Sequence, residues 1–108
     1  MPGLAPLNQE AFESQVRQAE LPVLVAFSAS RCGPCQQVRG DLTELAEEYA
    51  GRVQFYSVDA GLDSDLMVNY GVIGLPALIL FRAGEPVKRI TGYRPKHAVE
   101  KALLADLE

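Results

Sequence analysis

The fold is decided by the stretch Pro22-Val23-Leu24-Val25-Ala26-Phe27-Ser28-Ala29-Ser30-Arg31-Cys32-Gly33-Pro34-Cys35. Its first part, residues 22–27, is a continuous apolar run, which is typical of a buried strand. Its last part holds the only 2 cysteines of the chain. The two thiols therefore lie where a strand ends and the next element begins.

The segment after the cysteines predicts a helix that faces the core. We expect this helix to run from about Pro34 to Tyr49 and to stop at Gly51. Apolar residues recur along it at the spacing of one helical face, namely Val38, Leu42, Leu45, Ala46 and Tyr49.

A cysteine at the start of a helix has chemical consequences. If Cys32 is the N-cap, its sulfur can accept a hydrogen bond from the backbone N–H of Cys35, the third helical residue. The positive end of the helix dipole and the neighbouring Arg31 cation both lower the pKa of the Cys32 thiol. Pro34 suits the first turn, where its missing N–H costs no hydrogen bond. The short spacing permits a disulfide, so the residues predict a reversible dithiol/disulfide pair.

Two other interpretations of the cysteine pair are weaker. A structural zinc site needs four ligands, and only His97 could join the cysteines from the usual nitrogen and sulfur set. Two inert thiols that merely pack in the core would not be placed at an exposed helix start. We therefore expect redox chemistry and no metal.

Composition sets the class of protein. With 108 residues, 48% hydrophobic and 22% charged, the chain is expected to form a single globular domain over residues 1–108. The net charge of -4 argues against nucleic acid or an anionic membrane as the main partner. No apolar run approaches the length of a membrane span. Residues 1–10 have no basic segment and no long apolar stretch, so we expect no secretory signal and a cytoplasmic location.

The rest of the chain alternates strands with helices. Strands are predicted over 4–7, 23–28, 53–58, 77–81 and 87–91, and further helices begin near Asn8, Asp63 or Ser64, and Pro95. The last helix is expected to bury Val99, Ala102, Leu103 and Leu107. Such alternation requires a largely parallel sheet covered on both faces, and a terminal hairpin makes the sheet mixed. The predicted class is α/β, with a central, mostly parallel mixed sheet and helices on both faces.

Over essentially the whole chain the sequence resembles the thioredoxin family. The matching residues are Cys32-Gly33-Pro34-Cys35, the preceding Phe27, Tyr70-Gly71-Val72-Ile73-Gly74-Leu75-Pro76, the segment Phe81 to Glu85, and Gly92. A lone Cys-x-x-Cys is a weak indication, but Gly-Pro between the cysteines together with the later Gly-Leu-Pro is a specific one. The resemblance implies one thioredoxin-like domain with the thioredoxin fold.

The resemblance also implies a reaction. Cys32 is then the nucleophile that attacks a disulfide in another protein, and Cys35 resolves the mixed disulfide, which leaves the pair oxidised. A flavoprotein thioredoxin reductase that uses NADPH would return the pair to the dithiol. The chain is thus expected to be a monomeric protein-disulfide reductase that binds no cofactor of its own and takes disulfide-containing proteins as substrates.

The remaining site residues follow from the same resemblance. Arg31, Gly33 and Pro34 form the active-site loop, whereas the substrate groove consists of Gly74, Leu75, Pro76 and Gly92. Pro76 corresponds to the family's cis-proline, since a cis bond turns the chain and leaves backbone groups of Leu75 to pair with a peptide.

The sequence departs from the family at several positions. The family usually carries tryptophans where this chain has Ser28 and Arg31, and a buried aspartate where it has Ala26. Ala77 replaces the usual threonine after the cis-proline, and Gly40 replaces a helix proline. These changes leave the reaction class intact and bear on its rate, reduction potential and substrates.

Two alternatives to a reductase stay open at this stage. The chain could be a partner-binding module that uses the groove near Pro76 and keeps the cysteines for regulation. It could also be a more oxidising disulfide oxidase or isomerase. The intact Cys-Gly-Pro-Cys motif favours the reductase, because a pure scaffold has no physical need for both thiols.

Overall fold

The computed structural model describes residues 4–107, so residues 1–3 and 108 of the predicted domain lie outside the described part. One sheet contains five strands, which are β1 (Ala5–Pro6), β2 (Val23–Ser28), β3 (Gln54–Asp59), β4 (Ala77–Arg82) and β5 (Glu85–Thr91). Their order across the sheet is β1-β3-β2-β4-β5. The short β1 is an edge strand, which suits the proline that it contains.

Three helical segments connect these strands, and a fourth follows the last strand. They are α1 (Gln9–Phe12), α2 (Gly33–Glu48), α3 (Ser64–Asn69) and α4 (Lys96–Val99). Helix α1 continues as a π-helical turn (Glu13–Arg17), and α4 continues in the same way (Glu100–Leu104). The predicted order of strands and helices is confirmed. Within residues 4–107, no helix has both the length and the apolar character that crossing a membrane requires.

The sheet is mixed, as predicted. β1 pairs with β3 and β3 with β2 in parallel, whereas β4 is antiparallel to both β2 and β5. Four strands thus run in one direction and only β4 opposes them. Because β4 lies between β2 and β5, its antiparallel pairing with β2 adds to that of the predicted hairpin.

The central strands are apolar throughout because the sheet is covered on both faces. On β2, Leu24 and Ala26 face the layer of α2 and α4, whereas Val25 and Phe27 face the layer of α1 and α3. The same alternation holds on β4. There Leu78 and Leu80 face the layer of α2 and α4, whereas the layer of α1 and α3 is faced by Ala77, Ile79 and Phe81. The face of β2 that carries Ala26 is therefore the one that meets the helix following the cysteines.

Capping residues place the first and third helices. The side chain of Asn8 caps α1 as predicted, since its Oδ1 accepts a hydrogen bond from the N–H of Ala11 at 2.8 Å. Asp63 is the N-cap residue of α3, but its side chain makes no bond to that helix. Its Oδ1 instead accepts from the N–H of Gln9 at 3.2 Å, which ties the two helix starts together.

The buried face of the last helix differs from the prediction. Val99 and Leu103 are buried as expected, but Ala102 is exposed and Leu104 is buried in its place. The reason is the π-helical turn after Val99. Its i→i+5 hydrogen bonding brings residue i+5 (Leu104), rather than residue i+3 (Ala102), onto the face of residue i (Val99). Leu107 is half-buried against the same core.

Polar contacts hold this last helix against α2. The Tyr49 hydroxyl donates to Oε2 of Glu100 at 2.6 Å. Lys96 Nζ donates to Glu44 at 3.0 Å and to Glu48 at 2.6 Å. These contacts thus tie the C-terminal half of α2 to the last helix at the edge of the core.

Candidate active site

The two cysteines occupy the first turn of α2. Cys32 is the N-cap residue, with an extended backbone, and Pro34 lies in the first turn. The backbone N–H of Cys35 donates to Cys32 Sγ at an N···S distance of 3.1 Å. The cap interaction predicted from the spacing of the cysteines is therefore present.

The cysteines are joined in a disulfide whose Cα atoms are 5.2 Å apart. The two sulfurs differ in access to solvent, because Cys32 is half-buried and Cys35 is only 1% exposed. Cys35 belongs to the buried side of α2, together with Val38 and Leu42. An incoming reactant therefore meets the sulfur of Cys32 first.

The loop before α2 is exposed on either side of Cys32. Arg31, Gly33 and Pro34 all lie at the surface. Gln36 Nε2 donates to the carbonyl of Ser30 at 3.2 Å, which holds the loop against the helix. Arg31, the residue directly before Cys32, therefore lies at the surface that a partner protein would approach.

The predicted groove residues come together around Pro76. The Leu75–Pro76 peptide bond is cis. The N–H of Gly92 donates to the Pro76 carbonyl at 2.7 Å. Gly74 packs closely on the neighbouring strand, because a Cβ at that position would lie 3.0 Å from Cγ2 of Thr91. The two backbone segments that the sequence singled out, residues 74–76 and Gly92, are therefore neighbours in space, although their role in binding substrate stays a prediction.

A cleft of about 510 Å³, open to solvent, is lined in part by the buried Cys35. It is bounded by α2, by the ends of β2 and β3, and by the segments that precede α1 and α3. Cys35 and Pro76 line it on one side. Its lining also includes Ala26, Ser28, Arg39, Ser57, Asp59 and Asp63.

Comparisons with known proteins agree with this geometry. The family model described as Thioredoxin matches residues 3–105. The chain is 40% identical over 93 residues to the thioredoxin of Alicyclobacillus acidocaldarius subsp. acidocaldarius, with 86% of this chain and 88% of that protein covered. It is 41% identical over 89 residues to Thioredoxin C-2 of Corynebacterium nephridii, with 82% of each covered. It is 39% identical over 97 residues to the thioredoxin of Mycobacterium tuberculosis (strain ATCC 25618 / H37Rv), with 90% and 84% covered.

The chain belongs to the thioredoxin family. The predicted thioredoxin fold is confirmed, and so is the predicted reaction class. This thioredoxin is a thiol–disulfide oxidoreductase of the protein-disulfide reductase type. The alternatives of a partner-binding module or a more oxidising enzyme are not favoured by these comparisons.

Two of the departures from the family pattern lie at one place. Ala26 and Ser28 stand where the family usually has an aspartate and a tryptophan, and both line the cleft beside Cys35. Two small side chains thus leave space behind the buried sulfur. The sequence alone indicates the missing groups but not the cleft, because its other walls come from distant segments.

Two features of the site were not singled out for it from the sequence. Ile73 is 97% exposed directly before the groove residue Gly74, and an apolar residue followed by glycine in a loop is the pattern that could have indicated it. From the sequence, Asp59 is equally consistent with a strand end near the active-site loop and with a solvated turn. The structure places its side chain at the cleft, where its Oδ1 also accepts from the N–H of Gly61 at 2.8 Å.

The zinc interpretation finds no support in the geometry. Across residues 4–107, no three side chains of the His, Cys, Asp and Glu types are grouped so that they could hold a metal ion. His97, the only histidine of the chain, does not join the cysteines in such a group.

Proposed function

We propose that this thioredoxin carries electrons from an NADPH-dependent flavoprotein thioredoxin reductase to disulfide-containing proteins in the cytoplasm. It would thereby contribute to electron transport and to the redox homeostasis of the cell. The observation that carries the proposal is the unequal pair of sulfurs at the start of α2. Cys32 is accessible and its sulfur accepts a hydrogen bond from a backbone N–H, whereas Cys35 is buried one turn later.

The proposed cycle begins with the reduced pair. The Cys32 thiolate attacks one sulfur of a substrate disulfide, so that a mixed disulfide forms and the other substrate sulfur leaves as a thiolate. Cys35 then loses its proton and attacks the Cys32 sulfur, which releases the second substrate sulfur. Two electrons have passed to the substrate, and the protein holds the Cys32–Cys35 disulfide. The reductase returns two electrons and restores the dithiol.

We propose that a peptide segment of the substrate protein binds at the surface around Pro76. The Pro76 carbonyl accepts from the N–H of Gly92, Gly74 packs close to Thr91, and the exposed Ile73 offers an apolar contact. An extended peptide can pair with free backbone groups at such an edge while its cysteine reaches Cys32. We propose that the protein does this as a monomer and without a bound cofactor, since the reacting groups are its own two thiols.

Reduction of insulin tests the proposal. The oxidised protein should be turned over by NADPH and a purified thioredoxin reductase, with insulin precipitation and NADPH consumption as the two measurements. Cys32→Ser should abolish both, and Cys35→Ser should abolish turnover while it retains a single attack. If only small thiols reduce the pair, and the reductase does not, the proposed electron donor is wrong.

A further inference from the structure

The reaction leaves one proton without an obvious acceptor. Cys35 must lose its thiol proton before it can resolve the mixed disulfide, because the thiolate is the nucleophile. Cys35 is 1% exposed, and Ala26, the β2 residue that lines the same cleft, has no basic group. Some other group has to receive the proton.

The cleft beside Cys35 offers a route for this proton. Its volume of about 510 Å³ exceeds that of a single water molecule many times over. Ser28 and Ser57 supply hydroxyl groups along its wall, and its mouth opens to solvent. An open cleft of this size with hydroxyl groups in its wall takes up water, which can carry a proton between groups that are not in contact.

The strand register places one carboxylate at the right position along that wall. Ala26 pairs with Ser57, and Ser28 pairs with Asp59. These four residues share one face of the two strands, because side chains alternate and Leu24 and Phe55 already face α2. From strand spacing and rise, the Cα atoms of Ala26 and Asp59 are about 8 Å apart, a gap that a short chain of water molecules spans.

We infer that Asp59 receives the Cys35 proton through water in this cleft, in place of a carboxylate at position 26. The inference rests on the proposed function, since it assigns the proton of the resolving step. Asp59 does not touch the sulfur and is therefore a positioning residue for that step. Its Oδ1 is held by the N–H of Gly61, which fixes the carboxylate at the cleft.

Resolution moves one proton and exchanges one sulfur–sulfur bond for another. The Cys35 S–H bond breaks, and its proton passes through water to the Asp59 carboxylate. The Cys35 thiolate then forms a bond to the Cys32 sulfur, and the bond from Cys32 to the substrate sulfur breaks. The substrate leaves as a thiolate and takes a proton from solvent, and Asp59 later returns its own proton to solvent.

Other charged groups face Asp59 across the cleft. α2 contributes Arg39 and the Cys35 thiol, and the segment before α3 contributes Asp63. The lining residues from β1, β2 and the start of α1 are not titratable. Asp63 is the obvious rival, but it belongs to the segment before α3 rather than to the strand face that carries Ala26 and Ser57, and its Oδ1 accepts from the N–H of Gln9 near α1.

A stopped-flow reaction with a chromogenic aromatic disulfide separates the two chemical steps. Attack by Cys32 releases one coloured thiolate, and resolution by Cys35 releases a second one. Asp59→Asn keeps the oxygen that accepts from Gly61 but removes the basic carboxylate. We expect an unchanged first phase and a second phase slowed about tenfold to a hundredfold at neutral pH, the lower end of general-base effects because water intervenes.

The pH profile distinguishes a proton route from a structural effect. The second phases of the wild type and of Asp59→Asn should converge above about pH 9, where the thiol ionises without help. Asp63→Asn is the matched control, since it removes an equal charge from the same cleft. It should change the second phase by less than about twofold, because Asp63 does not share the strand face of Ala26 and its charge acts on the thiol only through solvent.

Ser28→Trp tests the cleft rather than the carboxylate. An indole at this position fills the space between Cys35 and Asp59, so the second phase should slow although Asp59 is intact. Asp59→Asn should then add little to that loss. An unchanged second phase in either single variant, or equal losses in Asp59→Asn and Asp63→Asn, would overturn the inference. A missing first phase in the wild type would instead overturn the proposed function, and the role of Asp59 with it.

Discussion

The sulfur of Cys32 accepts a hydrogen bond from the backbone N–H of Cys35, so the first cysteine caps the helix that buries the second. This one contact gives the two sulfurs different environments. Cys32 stays at the surface, where helix-terminal N–H groups favour its thiolate. Cys35 lies inside the first turn and is 1% exposed.

Alkylation should therefore distinguish the two thiols. We expect iodoacetamide to label Cys32 of the reduced protein first at neutral pH, because this thiol is both accessible and more readily ionised. Mass spectrometry of peptides from a time course measures the order of labelling. Cys35→Ser should trap a mixed disulfide with a substrate, and Cys32→Ser should not. Faster labelling of Cys35 would show that the roles are reversed.

Arg31 is expected to make this protein a weaker reductant than its motif suggests. Arg31 is exposed and directly precedes Cys32 in the chain, so we expect its cation to stabilise the thiolate, a form that exists only in the reduced protein. Arg31→Trp should therefore lower the reduction potential by up to about 30 mV, which corresponds to about 1.4 kcal/mol for two electrons. Equilibration with glutathione or with a reference thioredoxin measures the change.

Two controls separate the charge of Arg31 from its size. Arg31→Gln removes the cation without adding an indole and should shift the potential in the same direction. The difference from the wild type should shrink at high salt, because the guanidinium is exposed to solvent. A wild-type potential at or below that of an ordinary thioredoxin would show that this cation does not set the redox balance.

A carboxylate restored at position 26 should speed the resolving step. Ala26 is 3% exposed and lines the cleft beside Cys35, so Ala26→Asp places a base near the sulfur. We expect the second thiolate release at neutral pH to accelerate at least about tenfold, because direct general-base contributions reach 10²–10⁴-fold. Ala26→Asn, of the same shape without the base, should not accelerate it. A folded Ala26→Asp protein with no gain would mean that resolution is already limited by another step.

The hydrogen bond from Tyr49 to Glu100 should contribute to stability in a pH-dependent way. This bond raises the pKa of Tyr49, with burial as the next cause. Since the folded pKa lies above the unfolded value of about 10, the contribution is complete below pH 10 and is lost as the pH rises through the folded pKa. Tyr49→Phe should lower the free energy of unfolding by about 1 kcal/mol at neutral pH.

Urea unfolding at several pH values measures this contribution. The difference between the wild type and Tyr49→Phe should stay constant from pH 7 to about pH 9 and shrink above about pH 10. Tyr93→Phe is the control, because Tyr93 is 40% exposed and should give almost no difference. A difference that grows at alkaline pH would contradict the assigned direction of the pKa shift.

Several features of this protein are determined by the sequence itself because their causes are local. The bounds of β2 and the cap at Cys32 depend on residues within one or two turns of each other, so a short stretch specifies both. Asn8 caps α1 for the same reason. The apolar runs of the central strands likewise indicate burial on both faces before any pairing is known.

Other features were decided only by the tertiary structure. The position of β4 between β2 and β5 made half of the strand pairings antiparallel, and the π-helical turn after Val99 buried Leu104 rather than Ala102. The cleft behind Cys35 requires the register that sets Ser28 beside Asp59, 31 positions apart in the chain. Strand order, register and the space left between packed layers depend on contacts between distant segments, and no local pattern of residues specifies such contacts.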